Sequence, residues 1–150
     1  MVEIDGGTEL TGILGYDISY TLSPAMHNAA FRHCGLNWAY LPLRVAPEGL
    51  GAAVEGLRAL GFRGFNVTIP HKLRVAELVD RLEGDAEMLG AVNTVVADDG
   101  MLVGHNTDVE GFRAFLRELG ANIGGTAVMV IGAGGAARAV ALAAAREGAT

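Results

Sequence analysis

Four short strings hold most of the side chains that can move protons or grip a small polar molecule. They are Tyr20-Thr21-Leu22-Ser23-Pro24, Asn66-Val67-Thr68-Ile69-Pro70-His71-Lys72, Gly90-Ala91-Val92-Asn93-Thr94 and Asn106-Thr107-Asp108. Together they offer hydroxyls, side-chain amides, one ammonium and one carboxylate, an inventory that suits a small polyhydroxylated acid. Lys72 is the only lysine in the chain. An ammonium beside a ketone can deliver a proton to the oxygen as hydride reaches the carbon, and the free amine can do the reverse. Asp108 could orient that ammonium and accept a substrate hydroxyl. Each string also has a plain structural reading. Ser23 is a good N-cap, Thr107 with Glu110 forms a capping box, and Asp108 suits the first turn of a helix. Asn66 and Thr68 read equally as polar-face strand residues, Asn93 as a local cap and Lys72 as a solvated surface lysine. Taken singly, each plain reading is the stronger. Chemistry is favoured because all four fall at element ends, and in open α/β sheets such ends converge on one crevice.

A fifth string is built of glycine. Gly132-Ala133-Gly134-Gly135-Ala136-Ala137 follows the apolar run Ala127–Ile131 and leads into an Ala-rich helical stretch. It fits G-x-G-x-x-[G/A] through Gly132, Gly134 and Ala137. The first glycine permits the tight turn, the second lets a pyrophosphate approach the backbone, and the small third residue lets helix and strand pack closely. The helix N-terminus then offers free N–H groups to phosphate. The expected cofactor-binding residues are Gly132, Ala133, Gly134, Gly135 and Ala136. The residue that separates NAD from NADP falls about 20 positions past the first glycine, beyond Thr150, so both cofactors stay open on these residues.

The elements that must position these strings alternate between strand and helix along the chain, the pattern of a mainly parallel sheet covered by helices. Strands are expected at Leu10–Gly15, Trp38–Val45, Gly64–Ile69, Ala91–Ala97 and Met101–Val103, with Asp98-Asp99-Gly100 a hairpin turn between the last two. A buried strand is expected at Thr126–Ile131. Helices are expected from Ser23 to Cys34, from Pro47 with Leu50, Val54, Leu57 and Leu60 inward, from Lys72 with Val75, Val79 and Leu82 on one side, and from Thr107 with Val109, Phe112, Leu116 and Leu119 buried. The domain reading is 1–108 for substrate, 109–123 as connection and 124–150 as the start of a dinucleotide-binding unit. A single strand-turn-helix unit is too little for a sheet of its own, so the chain reads as cut short and these residues alone as inactive.

The bulk composition excludes other classes. With 51% hydrophobic residues, the chain can bury a core. Its net charge of −6 comes from interspersed residues without a basic stripe, so nucleic acid is not an expected partner. No apolar run reaches a membrane span, and the opening Met1-Val2-Glu3-Ile4-Asp5 lacks the basic start of a secretory signal. Cys34 stands alone and reads as a small buried hydrophobe, in keeping with a reducing, cytoplasmic setting. His27, His33, His71 and His105 show no metal spacing, and no metal is expected.

The strings S-P-A-M-H-N (23–28), N-V-T-I-P-H-K (66–72), G-A-V-N-T (90–94), N-T-D (106–108) and G-A-G-G-A (132–136) stand in the order and spacing of shikimate dehydrogenases. The chain resembles that family from about Thr11 onward. The resemblance implies a substrate domain followed by the first β-turn-α unit of a Rossmann-type domain. It also implies reduction of 3-dehydroshikimate to shikimate with NADPH on the route to aromatic amino acids. Lys72 and Asp108 are then the catalytic pair, Thr21, Ser23, Thr68 and Asn93 substrate contacts with Asn66 their neighbour, and Gly132–Ala136 the pyrophosphate loop. A small-molecule substrate is the partner so implied, and a homodimer is an expected assembly. The chain departs from the family where Tyr20-Thr21 replaces the usual His-Ser. Quinate-using relatives share the fold, so a dehydrogenase preferring quinate is one alternative, and a binding module without turnover is another.

Overall fold

The computed structural model describes residues 4–150, so the first three residues of the acidic opening lie outside the described part. The elements are β1 (Glu9–Gly15), α1 (Ser23–His33), β2 (Trp38–Arg44), a 3-10 turn (Pro47–Gly49), α2 (Leu50–Ala59), β3 (Gly64–Val67), α3 (Lys72–Val75), β4 (Arg81–Leu82), α4 (Asp85–Leu89), β5 (Thr94–Asp98), β6 (Met101–His105), α5 (Asp108–Glu118) and α6 (Gly135–Arg146). The six strands form one sheet in the order β2-β1-β3-β5-β6-β4. β1 lies parallel to β2 and β3, and β4 parallel to β6, while β5 runs antiparallel to both neighbours. This order sets up the site. Parallel β1, β2 and β3 all end at one edge of the sheet. Antiparallel β5 begins there, and β6, reversed by the hairpin, ends there too. Every polar string of the sequence therefore emerges at the same edge.

The hairpin forms as its sequence predicts, with Asp99 at φ 46° and Gly100 at φ 82°. Both central residues in the left-handed region make the primed turn that matches strand twist. Leu14, Phe65, Val67, Val95 and Leu102 pack on one face of the sheet against Leu50, Val54 and Leu57 of α2. That burial is the main source of stability, since apolar area removed from water dominates folding. The opposite face carries a smaller cluster of Ile13, Ile18 and Tyr40 against Phe31 of α1.

β2 is an edge strand with outward-facing backbone groups to satisfy. Asn28 of α1 does so twice: its Nδ2 donates to the Tyr40 carbonyl at 2.9 Å, and its Oδ1 accepts from the Tyr40 N–H at 2.9 Å. His27 stacks on the Tyr40 ring with centroids 4.1 Å apart. The Tyr40 hydroxyl donates to Asn66 Oδ1 at 2.7 Å.

Several expectations need correction. The helix expected from Lys72 to Leu82 is only the single turn α3, and Leu82 belongs to β4. Asp80 draws this segment to the sheet, its Oδ2 accepting from the Leu102 N–H at 2.6 Å and from Arg58 at 2.7 Å. Those two donors also hold the Asp80 carboxyl below its usual range, Arg58 contributing most. Leu60 and Leu119 are exposed, at 71% and 63%, because each is the C-cap residue and leaves its helix's buried stripe. Cys34 likewise caps α1 and is exposed, not buried.

Thr126–Ile131 forms no ladder. It runs beside the chain's last residues through Thr150 N–H to Thr126 O at 2.9 Å and Val128 N–H to Thr150 O at 3.2 Å, and Ile131 is 90% exposed. A strand needs hydrogen-bonded neighbours, and among the described residues this segment has no paired strand. No helix among the described residues is long and apolar enough to cross a membrane.

Burial pushes the Tyr40 phenol up to about 12. In the unfolded chain a tyrosine ionises near pH 10, so on raising the pH the unfolded state loses this proton first. Stability is thus intact below about pH 10 and falls between about pH 10 and 12. Urea midpoints measured across that interval should drop more steeply in the wild type than in Tyr40→Phe. Parallel curves would mean that the phenol is not the group responsible.

Candidate functional site

Lys72 opens α3 just past the end of β3, where the Ile69–Pro70 bond is cis. Its Nζ donates to Asp108 Oδ2 at 2.5 Å, with the two side chains 18% and 28% exposed. The other carboxylate oxygen, Oδ1, accepts from Asn93 Nδ2 at 2.8 Å. Asn93 uses the rest of its amide on the start of α5. Its Oδ1 accepts from the Thr107 N–H at 2.9 Å, and its Nδ2 also donates to Thr107 Oγ at 2.9 Å. Lysine, aspartate and asparagine from three separate strings thus form one charge-assisted network.

Two expected caps use their hydroxyls elsewhere. Thr107 does occupy the N-cap position of α5, but its hydroxyl turns to Asn93, while Glu110 pairs with Arg113 and Arg117; no capping box forms. At α1 the N-cap is Leu22 rather than Ser23, and Pro24 sits in the first turn as expected. Thr21 Oγ donates to Ser23 Oγ at 3.2 Å and accepts from the Ser23 N–H at 3.3 Å. The Thr21–Ser23 pair follows the loop after β1. Gly15 makes room there, since a Cβ on it would fall 2.6 Å from Thr68 Cγ2 and 2.5 Å from Ile18 Cγ2. Thr21 in turn donates its N–H to Ile18 O at 3.1 Å.

Asn66 is fully engaged with the protein. It accepts from Tyr40 and donates to Thr94 Oγ at 3.1 Å and to Asn93 O at 3.4 Å.

Two supports were not read from the sequence as site parts. Asn106 is buried; its Nδ2 donates to Ala91 O at 2.9 Å and its Oδ1 accepts from the Asp108 N–H at 3.0 Å, which fixes the turn that aims Asp108. The signal was present, because an Asn two residues before a functional Asp is the pattern of an Asx turn. His71, 2% exposed, holds its Nε2 2.9 Å from Val45 O and so ties the residue before Lys72 to the end of β2. Gly135, expected only as part of the phosphate turn, also lies close to the Lys72 stem, a neighbour that no local pattern announces.

Lys72 and Thr68 line one side of a cleft of about 330 Å³, with Gly134, Gly135 and Ala136 on the other. This falls within the range of small-molecule sites. Gly132 takes φ 125°, which glycine alone adopts freely, and a Cβ on Gly134 would meet nothing within 4 Å. The space in front of Gly134 is therefore not filled by the chain's own packing. It opens at the N-terminus of α6, a helix of 12 residues, and these features fit a pyrophosphate. Ala133 completes the turn between Gly132 and Gly134.

The arrangement presents an anchored ammonium, the hydroxyl residue Thr68 and a phosphate-compatible glycine turn to one cleft. A family model described as the shikimate dehydrogenase substrate binding domain matches residues 13–95. The shikimate dehydrogenase (NADP(+)) of Rubrobacter xylanophilus is 58% identical over 97% of this chain and 51% of its own length. The chain thus spans about half the length of the curated relatives it matches. Among solved structures, shikimate dehydrogenase from Aquifex aeolicus superposes with a TM-score of 0.94 at 42% identity, covering 99% of this chain and 56% of that one. The Thermus thermophilus enzyme, in complex with NADP(H) and shikimate, gives 0.86 at 38% identity over 94% of this chain and 53% of that one. On this match the chain belongs to the shikimate dehydrogenase family, through its substrate binding domain.

Proposed function

We propose that residues 1–150 supply the substrate side and the phosphate turn of an NADPH-dependent shikimate dehydrogenase, which reduces 3-dehydroshikimate to shikimate. The observation that carries this reading is that Lys72, held by the Asp108–Asn93 pair, lines the same cleft as Gly134–Ala136. The domain division belongs to the same reading, with 1–108 for substrate, 109–123 as connection and 124–150 as the opening of the cofactor domain. It is supported by the family match, which falls wholly inside the first part. The lone exposed Cys34 fits a reducing cytoplasm.

A bound NADPH supplies hydride to the ring carbon. The chain's own work is to hold the ring and manage the proton. Thr21, Ser23, Thr68 and Asn93 offer hydroxyls and an amide to the substrate's carboxylate and hydroxyls. Lys72 Nζ gives a proton to the former carbonyl oxygen as its π bond breaks, and in the oxidation direction takes it back. Asp108 holds Nζ in place, and Asn93 and Asn106 hold Asp108. Asn66 acts one step back, bracing Asn93 from the Tyr40 side. Gly132, Ala133, Gly134, Gly135 and Ala136 would hold the pyrophosphate, with N–H groups of the first turn of α6 turned to it.

In a full-length enzyme carrying these residues, Lys72→Ala should cut kcat by roughly 10²–10⁴-fold, the range of a lost general acid, while shikimate KM stays within a small factor. A kcat near wild type would remove Lys72 from the chemistry. Asp108→Asn keeps the shape but loses the charge that anchors Nζ, so it should also act mainly on kcat.

Thr21 favours a second reading, a related enzyme that prefers quinate, because it places a methyl where the family usually has serine. Thr21→Ser keeps the hydroxyl pair with Ser23 and removes only the methyl. It should move the shikimate-to-quinate ratio of kcat/KM by about 10-fold, what one such group is worth in a pocket. An unchanged ratio would make the methyl neutral and leave the first reading alone.

A further inference from the structure

Gly135 begins α6 and is buried. A Cβ at this position would lie 2.9 Å from Lys72 Cβ and 3.2 Å from Lys72 Cδ, with Ala91 Cβ at 3.5 Å. Its neighbour Gly134 has nothing within 4 Å of the same point. Gly135 is not among the glycines with positive φ, so its backbone makes no demand for glycine. Space alone does, and the atoms that occupy that space belong to the lysine stem. The two adjacent glycines therefore answer different constraints, one open toward the cleft and the other closed against Lys72.

We propose that Gly135 is a positioning residue for Lys72: by lacking a side chain it lets the first turn of α6 press on the lysine stem and select the rotamer that carries Nζ to Asp108. A lysine has four rotatable side-chain bonds, and an ammonium free to sample them is seldom at the reacting oxygen. Here Cβ and Cδ lie against a backbone wall, and Nζ beyond them reaches Asp108.

Other contacts hold α6 against the substrate domain. Arg138 donates to Leu89 O at 2.8 Å, Arg146 makes a bidentate pair with Asp85 at 2.8 and 2.5 Å, and Arg113 pairs with Glu147 at 2.6 Å. Ala139 and Ala143 of α6 are buried with Val109 of α5. An added methyl at 135 thus cannot be relieved simply by withdrawing the helix. Lys72 Cβ moves only with its backbone, so the methyl must shift the start of α3 as well as turn the stem at Cδ, and both displace the ammonium.

The proposal rests on the reading of Lys72 as proton donor, but its first test does not need activity. Because Lys72 is the only lysine, reductive methylation with 13C-formaldehyde reports one ε-amine, which NMR separates from the α-amine. The Lys72 side chain is only 18% exposed where it is held against Asp108, which shields its amine from the reagent. In this chain Gly135→Ala should therefore raise the labelling rate of Lys72 several-fold, while Gly134→Ala leaves it at the wild-type value. Equal rates in wild type and Gly135→Ala, or equal changes in both variants, would overturn the proposal.

A thermal-stability cycle covers the case in which Gly135→Ala folds poorly. The loss caused by Gly135→Ala should largely vanish in a Lys72→Gly background, and an undiminished loss there would overturn the proposal. In a full-length enzyme, Gly135→Ala should lower kcat by more than Gly134→Ala does, and Gly134→Ala should raise cofactor KM by more than Gly135→Ala does. Faster labelling together with an unchanged kcat would uphold the placement by Gly135 and instead remove Lys72 from the proton transfer.

Discussion

A single ammonium is kept at a fixed point beside a cleft, and the carboxylate that keeps it there comes from a strand two places away in the sheet. Lys72 follows β3 and Asp108 follows β6, 36 residues later in the chain. The sheet closes that gap. β5 runs antiparallel next to β3 and turns through Asp99-Gly100 into β6, so that the ends of β3 and β6 lie at the same edge with β5 between them. Asn93, at the head of β5, stands between the two charged groups and bonds to the carboxylate. If β5 were parallel, its head would lie at the opposite edge, with no amide between lysine and aspartate. The antiparallel β5 is what the site geometry depends on.

Around that pair the structure is a series of braces, most of them amides. Asn106 fixes the turn into Asp108, Asn66 ties Asn93 to Tyr40, and Asn28 ties Tyr40 to α1. Among the described residues no buried side-chain nitrogen or oxygen is left without a partner. A network satisfied to that degree is stiff, because moving one member strands another in a low-dielectric setting. The space at Gly134 is left open to the cleft. A braced charged pair beside an open glycine turn keeps the ammonium fixed while the cleft stays free.

The strands and the hairpin were legible because their signals are local: alternation, β-branched residues, and Asp-Gly at the turn. Lys72, Asp108, Asn93 and the glycine turn were legible because the motif strings carry them. What the sequence hid was relational. The period that suggested a helix through Leu82 is real, but Asp80 finds Leu102 and Arg58 across space and pulls the segment into β4. The strand expected at Thr126–Ile131 has the right composition and lacks paired neighbours among the described residues. Thr107 and Ser23 have cap chemistry, and both spend their hydroxyls on other side chains. Gly135 reads as one more glycine in a glycine turn until the position of Lys72 is known.

The most direct measurement is made on Lys72 itself, whose side chain gives a single lysine signal in a chain labelled with 15N-lysine. Shikimate is titrated while the side-chain amides of Asn66 and Asn93 report binding. The account predicts that the Lys72 signal moves in step with those amides and saturates with them, and that Asp108→Asn weakens the response. Binding reported by the asparagines with an unmoved Lys72 signal would contradict it, because the ammonium would then lie outside the substrate's reach.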